Sequence, residues 1–177
     1  TGLPANSKYS VDETSLPKGY SIKNLSNPDG MLIPADTIEV TAENRYTTTP
    51  GIAQLRALKR YVNAAGQDLP QKNGMFEFAV CEVVSETECN GIGEAQSNDR
   101  SEVVFPVISY TDAGNHTYRI SEIIGSNTSI AYDRALVTAE VAVTDNGEGE
   151  LVTTIVYKDK DGNQLPEGEL PVFVNRD

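Results

Sequence analysis

Tryptophan is absent from the 177 residues, histidine occurs once, at His116, and cysteine only at Cys81 and Cys89. A single histidine leaves little material for a Ser-His-Asp or Cys-His nucleophilic set or for a multi-histidine metal site, so no metal is expected. Basic residues are also scarce, 14 against 26 acidic ones, and the net charge of -12 argues against nucleic acid and anionic membrane surfaces as partners. No apolar run approaches the length of a membrane span and no signal-peptide core is present. The chain, which opens at Thr1, therefore reads as a mature fragment without membrane insertion. Nothing in it calls for a cofactor.

An apolar content of 38% with 7% aromatics is that of a folded chain, and the length fits one large β-domain or one domain with part of another. Residues 1–50 alternate weakly. Tyr9, Val11 and Glu13 share one face, Leu16-Pro17-Lys18-Gly19-Tyr20 breaks the strand, and Ile38, Val40 and Ala42 suggest a second short strand ending near Asn44. Too few large apolar residues occur there for an independent core. Tyr46-Thr47-Thr48-Thr49-Pro50-Gly51 has linker composition, which divides the chain into residues 1–50 and 51–177.

Leu55 to Val62 suits a helix by propensity, but Ala57, Lys59 and Tyr61 alternate and strands surround the segment, so a strand is expected. Phe76, Phe78 and Val80 point inward from the next strand, which puts Cys81 on its outer face. Cys81 and Cys89 lie close enough to be bridged across a hairpin in an oxidising compartment, and a hairpin disulfide is favoured over a metal or thioester site. Gly91 to Arg100, polar with two glycines, is expected to be a loop. Val103 to Tyr110 is a strand in which Pro106 marks an edge or a bulge. Ile130 to Asp133 reads as a short strand. Residues 135–143 and 151–157 form a hairpin about Asp145-Asn146-Gly147-Glu148-Gly149, and Pro171 to Asn175 closes the chain with Phe173 and Asn175 on one face. Strand after strand without a helix of convincing length predicts an antiparallel β-sandwich with Greek-key-like connections.

One stretch resists a purely structural reading. Alternation over Tyr118-Arg119-Ile120-Ser121-Glu122 puts Tyr118, Ile120 and Glu122 on the same side of a strand, which aims a carboxylate into a core. An ionised carboxylate there is costly unless paired or protonated. Either the segment is not a strand or Glu122 has a chemical task.

Phe76-x-Phe78, Gly114-Asn115-His116-Thr117-Tyr118-Arg119-Ile120-Ser121-Glu122, Tyr132-Asp133 ahead of a β-branched strand, and Phe173-Val174-Asn175 occur in that order. Over about residues 55–177 the chain resembles the pilin isopeptide-linkage domain of Gram-positive surface pili. The resemblance implies an all-β, immunoglobulin-like antiparallel β-sandwich in which Lys59 of the first strand is joined to Asn175 of the last by an amide bond. Glu122 would be the buried acid that promotes the reaction. Burial would favour the neutral Lys59 amine and a protonated Glu122, which would hydrogen-bond the Asn175 carbonyl and carry a proton to the departing ammonia. Such a protein is its own substrate and not a turnover enzyme.

Gly2-Leu3-Pro4, Tyr9-Ser10-Val11-Asp12-Glu13, Leu16-Pro17-Lys18-Gly19-Tyr20 and Val40-Thr41-Ala42-Glu43-Asn44 are similar to the closing part of a collagen-adhesin B-type domain, also immunoglobulin-like. That likeness makes Glu13 the acid and Asn44 the amide of a remnant site whose lysine strand is not in this sequence. Lys8 is too close to Glu13 along the same strand to replace it.

The function these resemblances imply is a structural module of a pilus or adhesin stalk at the cell surface or on a wall-anchored pilus, with neighbouring pilin or adhesin modules as partners. An alternative is an adhesin domain recognising a host protein or glycan through the polar segment Glu82 to Arg100. A hydrolase using two acids is disfavoured because no cluster of acids and aromatics marks a cleft. Asp159-Lys160-Asp161-Gly162-Asn163 superficially resembles a calcium loop, but its glycine comes too early and the closing glutamate is missing, so it is read as a turn. The sequons at Asn24, Asn115 and Asn127 carry little weight if the source is bacterial, as the resemblance implies.

Overall fold

A computed structural model describes residues 4, 6–98 and 100–177. Thr1, most of the Gly2-Leu3-Pro4 motif and Asp99 lie outside the described residues. Among those described, all regular secondary structure is β. The chain divides into two compact units, Thr1–Thr49 with Asp145–Glu150, and Pro50–Thr144 with Leu151–Asp177.

In the first unit, β1 (Lys8–Ser10) pairs antiparallel with β3 (Asp29–Met31), and β2 (Tyr20–Ser26) with β4 (Thr41–Tyr46). The expected Tyr9-Val11-Glu13 face is not continuous strand, because β1 ends at Ser10 and the Val11 N–H donates to Pro28 O at 2.6 Å. Ile38 and Val40 likewise precede β4 rather than opening it. Strands β2 and β3 carry no clear alternation. Their regularity comes from pairing with β4 and β1 rather than from a buried face of their own. One glycine pair is required sterically: at Gly149, with φ of 83°, an added Cβ would lie 2.5 Å from the Cα of Gly19.

The second unit contains β5 (Gly51–Val62), β6 (Glu77–Val83), β7 (Cys89–Gln96), β8 (Glu102–Tyr110), β9 (Gly114–Ile123), β10 (Leu136–Asp145), β11 (Leu151–Lys158) and β12 (Val172–Arg176). One sheet has the order β11-β10-β9-β6-β7 and the other β12-β5-β8. Residues from both line a single core, including Leu55, Phe78, Val80, Phe105, Tyr118, Ile120, Val141 and Phe173. Helix propensity in Leu55 to Val62 yields to tertiary pairing, because β5 is hydrogen-bonded on both sides and buries Ala53, Leu55, Ala57 and Lys59 on one face. The first and last strands of this unit, β5 and β12, run parallel, whereas β5–β8, β6–β7, β6–β9 and β9–β10 are antiparallel.

Two local expectations fail. Gly91 to Arg100 is not a loop: most of it belongs to β7, which pairs with β6 from Val83↔Cys89 to Glu77↔Gln96. An edge strand needs only one inward residue of note, here Ala95, so its polar composition masks it. The disulfide Cys81–Cys89, with Cα atoms 5.6 Å apart, clips this hairpin, and the turn closes through Val84 N–H to Glu88 O at 3.0 Å. The segment proposed as a long ligand-binding loop is therefore mostly a strand pair. Ile130 to Asp133 is not a strand either, and its one ladder contact is the Ala131↔Arg176 bridge. Pro106 sits at a bulge on the edge strand β8, where the β5 register shifts between Gln54 and Arg56.

Candidate functional site

Each strand that builds the site carries a run of inward apolar residues ending in one polar side chain. On β5 the buried series Ala53, Leu55, Ala57 continues into Lys59; on β9 Tyr118 and Ile120 continue into Glu122; on β12 Phe173 is followed by Asn175. Pairing places Lys59 beside Phe173 in one sheet and Glu122 beside Phe78 in the other. Phe78 and Phe173 meet edge to face at 5.2 Å between ring centres, so an aromatic pair adjoins the polar group as the sheets close.

There the three polar residues touch. Lys59 Nζ donates to Glu122 Oε2 at 2.8 Å, and Asn175 Nδ2 donates to Glu122 Oε1 at 2.6 Å. The side chains of Lys59 and Glu122 are fully out of solvent, as is Asn175. Burial pushes the Lys59 amine below its ordinary value and the Glu122 carboxyl above its own, and in both it outweighs the hydrogen bond between them. Both shifts favour the neutral amine facing the neutral acid. Phe76 works the other way: its ring lies 4.9 Å from Lys59 Nζ, a contact that favours the ammonium.

The Asn175 amide is held at both ends. Its Oδ1 accepts from the backbone N–H of Asp133 at 2.7 Å. A backbone N–H can only donate, so this contact fixes which end of the amide is oxygen and turns the nitrogen toward Glu122. The resemblance implies a Glu122 contact to the Asn175 carbonyl; in the structure the main chain of Asp133 holds it. In the sequence Asp133 stands out only as the second residue of Tyr132-Asp133. An aspartate just ahead of a strand, able to cap backbone N–H groups, was the available signal.

In the first unit, Asn44 Nδ2 donates to Glu13 Oε1 at 2.9 Å. Glu13 Oε2 is buried and has no hydrogen-bond partner among the described residues. Lys8 is exposed on β1. Among the described residues, then, the acid and amide are together without the amine that accompanies their counterparts in the second unit.

Residues 55–176 match the family described as FctA, Spy0128-like isopeptide containing domain. Among solved structures the chain is similar to the major pilin from Streptococcus pyogenes, in a mutant form, at 16% identity and a TM-score of 0.46. That similarity covers 70% of this chain and 50% of the pilin, so the chain spans about half the length of that relative. No curated protein sequence matches the chain.

Proposed function

The chain belongs to the family of Spy0128-like isopeptide containing domains, and from that premise we propose that residues 51–177 are a structural module of a Gram-positive surface pilus. In this reading the module sits outside the cell, on a wall-anchored fibre, and its partners are neighbouring pilin subunits. Its one chemical act is to join Lys59 to Asn175, with Glu122 as acid and base.

The reaction begins with transfer of the Lys59 proton to Glu122, which burial of the pair promotes. Nζ then attacks Cγ of Asn175. Glu122 gives its proton to Nδ2, its hydrogen-bond partner, and receives the surplus proton of Nζ. Ammonia leaves, the Lys59–Asn175 amide remains, and Glu122 ends protonated. The event occurs once per molecule. Because β5 and β12 are the first and last strands of the unit and lie side by side, the bond would pass tension directly between them, and the strands in between would not have to unfold.

The observation that carries the reading is the solvent-free Glu122 side chain, hydrogen-bonded at once to Lys59 and Asn175. Intact mass of the denatured protein tests it. A deficit of one ammonia, abolished in Glu122→Ala, is expected; a folded parent protein of full sequence mass would sink the proposal.

The hydrogen bond between Glu13 and Asn44 supports a second, smaller reading: residues 1–50 are the closing part of a B-type module and hold its acid and amide. Glu13 Oε2, without a partner among the described residues, corresponds to the Glu122 oxygen that accepts from Lys59. Ammonia loss confined to Lys59 and Asn175 in a peptide map, with Asn44 left as a free amide, is the expected outcome. A crosslink from Asn44 to a lysine of this chain would overturn it.

A further inference from the structure

We propose that Asp133 completes the bond-forming site, its main-chain N–H stabilising the oxygen of the Asn175 amide during attack and its carboxylate fixing that N–H in place. The inference rests on the crosslinking reading above and adds a part that it does not supply.

Five hydrogen bonds carry it. The Asp133 N–H donates to Asn175 Oδ1 at 2.7 Å. The Asp133 carboxylate accepts from Val174 N–H through Oδ2 at 2.7 Å and from Ala135 N–H through Oδ1 at 2.8 Å. Ala131 and Arg176 exchange both backbone hydrogen bonds, at 2.8 and 3.1 Å. The segment from Ala131 to Ala135 is thus pinned to β12 on either side of Asn175, at Val174 and Arg176, and between the pins the Asp133 N–H is aimed at the Asn175 carbonyl. This also explains why Ile130 to Asp133 forgoes a regular strand: the N–H that a ladder would use is spent on a side chain.

As the Nζ–Cγ bond forms, the π pair of the carbonyl moves onto Oδ1, the atom the Asp133 N–H already contacts. When that pair returns, the Cγ–Nδ2 bond breaks and ammonia leaves with the proton supplied by Glu122. The surplus proton of Nζ passes to Glu122, so charge and atoms balance. A donor fixed beforehand needs no reorganisation as charge develops. The negative charge of Asp133 would by itself oppose an oxyanion, but its two oxygens are engaged by Val174 and Ala135. Its charge raises the Glu122 carboxyl, favouring the protonated acid, and also raises the Lys59 amine, favouring the ammonium, so it is the placed N–H rather than the charge that assists the attack.

The test is the rate of ammonia loss in freshly synthesised protein, followed by mass from the time of cell-free synthesis, in the parent, Asp133→Asn and Asp133→Ala, with native structure checked by near-ultraviolet circular dichroism. Asp133→Ala frees the segment and should slow bond formation by roughly a hundredfold, the scale of a small misplacement of a reacting group. Asp133→Asn keeps one acceptor oxygen and should fall between Ala and the parent, a graded rescue that a purely architectural role would not give once the protein is folded. Either variant, folded and crosslinking at the parent rate, overturns the proposal. Failure of both to fold overturns it too, in favour of a structural role. A parent without the ammonia deficit would instead refute the crosslink itself, so the two failures are distinguishable.

Discussion

Glu122 of β9 and Asn175 of β12 stand in opposite sheets, yet their side chains meet at 2.6 Å with no access to solvent. The contact exists only when the two sheets have closed. Bond formation is therefore expected after folding rather than during it, since burial of the same two sheets drives Lys59 and Glu122 toward their neutral forms.

Asn175→Ala removes the acceptor carbonyl and leaves the Lys59–Glu122 pair. A link between Lys59 and Asn175 encloses on the order of a hundred residues, for which loop-closure entropy suggests a contribution of about 4 to 5 kcal/mol. Urea unfolding of Asn175→Ala should show a loss of at least that size, since a buried hydrogen-bonding group is deleted as well. A midpoint equal to that of the parent would mean that no covalent link had been lost.

Removing the amine should expose the titration of Glu122. Its carboxyl is raised above the ordinary 4.5 by burial, and Lys59 is the main influence lowering it. In Lys59→Ala the folded value therefore rises further. Above about pH 4.5 the unfolded chain has released a proton that the folded chain keeps. Stability from this group is thus fully present below that pH and is lost as pH rises through the folded value. The urea midpoint of Lys59→Ala should fall with rising pH across this window relative to Lys59→Ala/Glu122→Gln, where the group is gone. Parallel profiles for the two variants would refute it.

How far these features were legible in the sequence depended on what each residue depends on. The anomaly at Glu122 could be read because period-two alternation is local: with Tyr118 and Ile120 inward, the third side chain had to follow. Lys59 and Asn175 could not be read that way, since an amphipathic lysine and a near-terminal asparagine are ordinary surface residues until the pairing of β5 with β12 puts them on one inner face. Strand β7 escaped because an edge strand takes its order from the neighbour's backbone. The role of Asp133 lies in a main-chain N–H, which no side-chain pattern encodes. The parallel sense of β5 and β12 is a property of connectivity, invisible in either strand alone.

The disulfide should prove independent of the site. Cys81 and Cys89 enclose a short loop on the β6–β7 hairpin, and Cys81 pairs with Arg119, three positions along β6 from the Phe78 that faces Glu122. Loop entropy sets an upper scale of about 2 to 3 kcal/mol for it. Reduction and alkylation should lower stability by no more than that and leave the ammonia deficit intact. Absence of the deficit in folded Cys81→Ser/Cys89→Ser, which is synthesised without the bridge, would show instead that the hairpin is needed to seat Phe78 beside Glu122.

Phe78 tests whether dryness at the site matters. Its ring is fully buried, pairs across the ladder with Glu122, meets Phe173 edge to face, and lies 6.0 Å from Lys59 Nζ. Phe78→Ala should cost about 3 to 5 kcal/mol through lost burial and the cavity left behind. A cavity beside three polar groups would also admit water. Hydration would stabilise the ammonium of Lys59 and the carboxylate of Glu122, the two charged forms that burial now disfavours. Ammonia loss should consequently slow in folded Phe78→Ala, whereas Phe78→Leu, which keeps most of the volume, should stay closer to the parent. Equal crosslinking rates in all three would show that packing at this ring governs stability but not the chemistry.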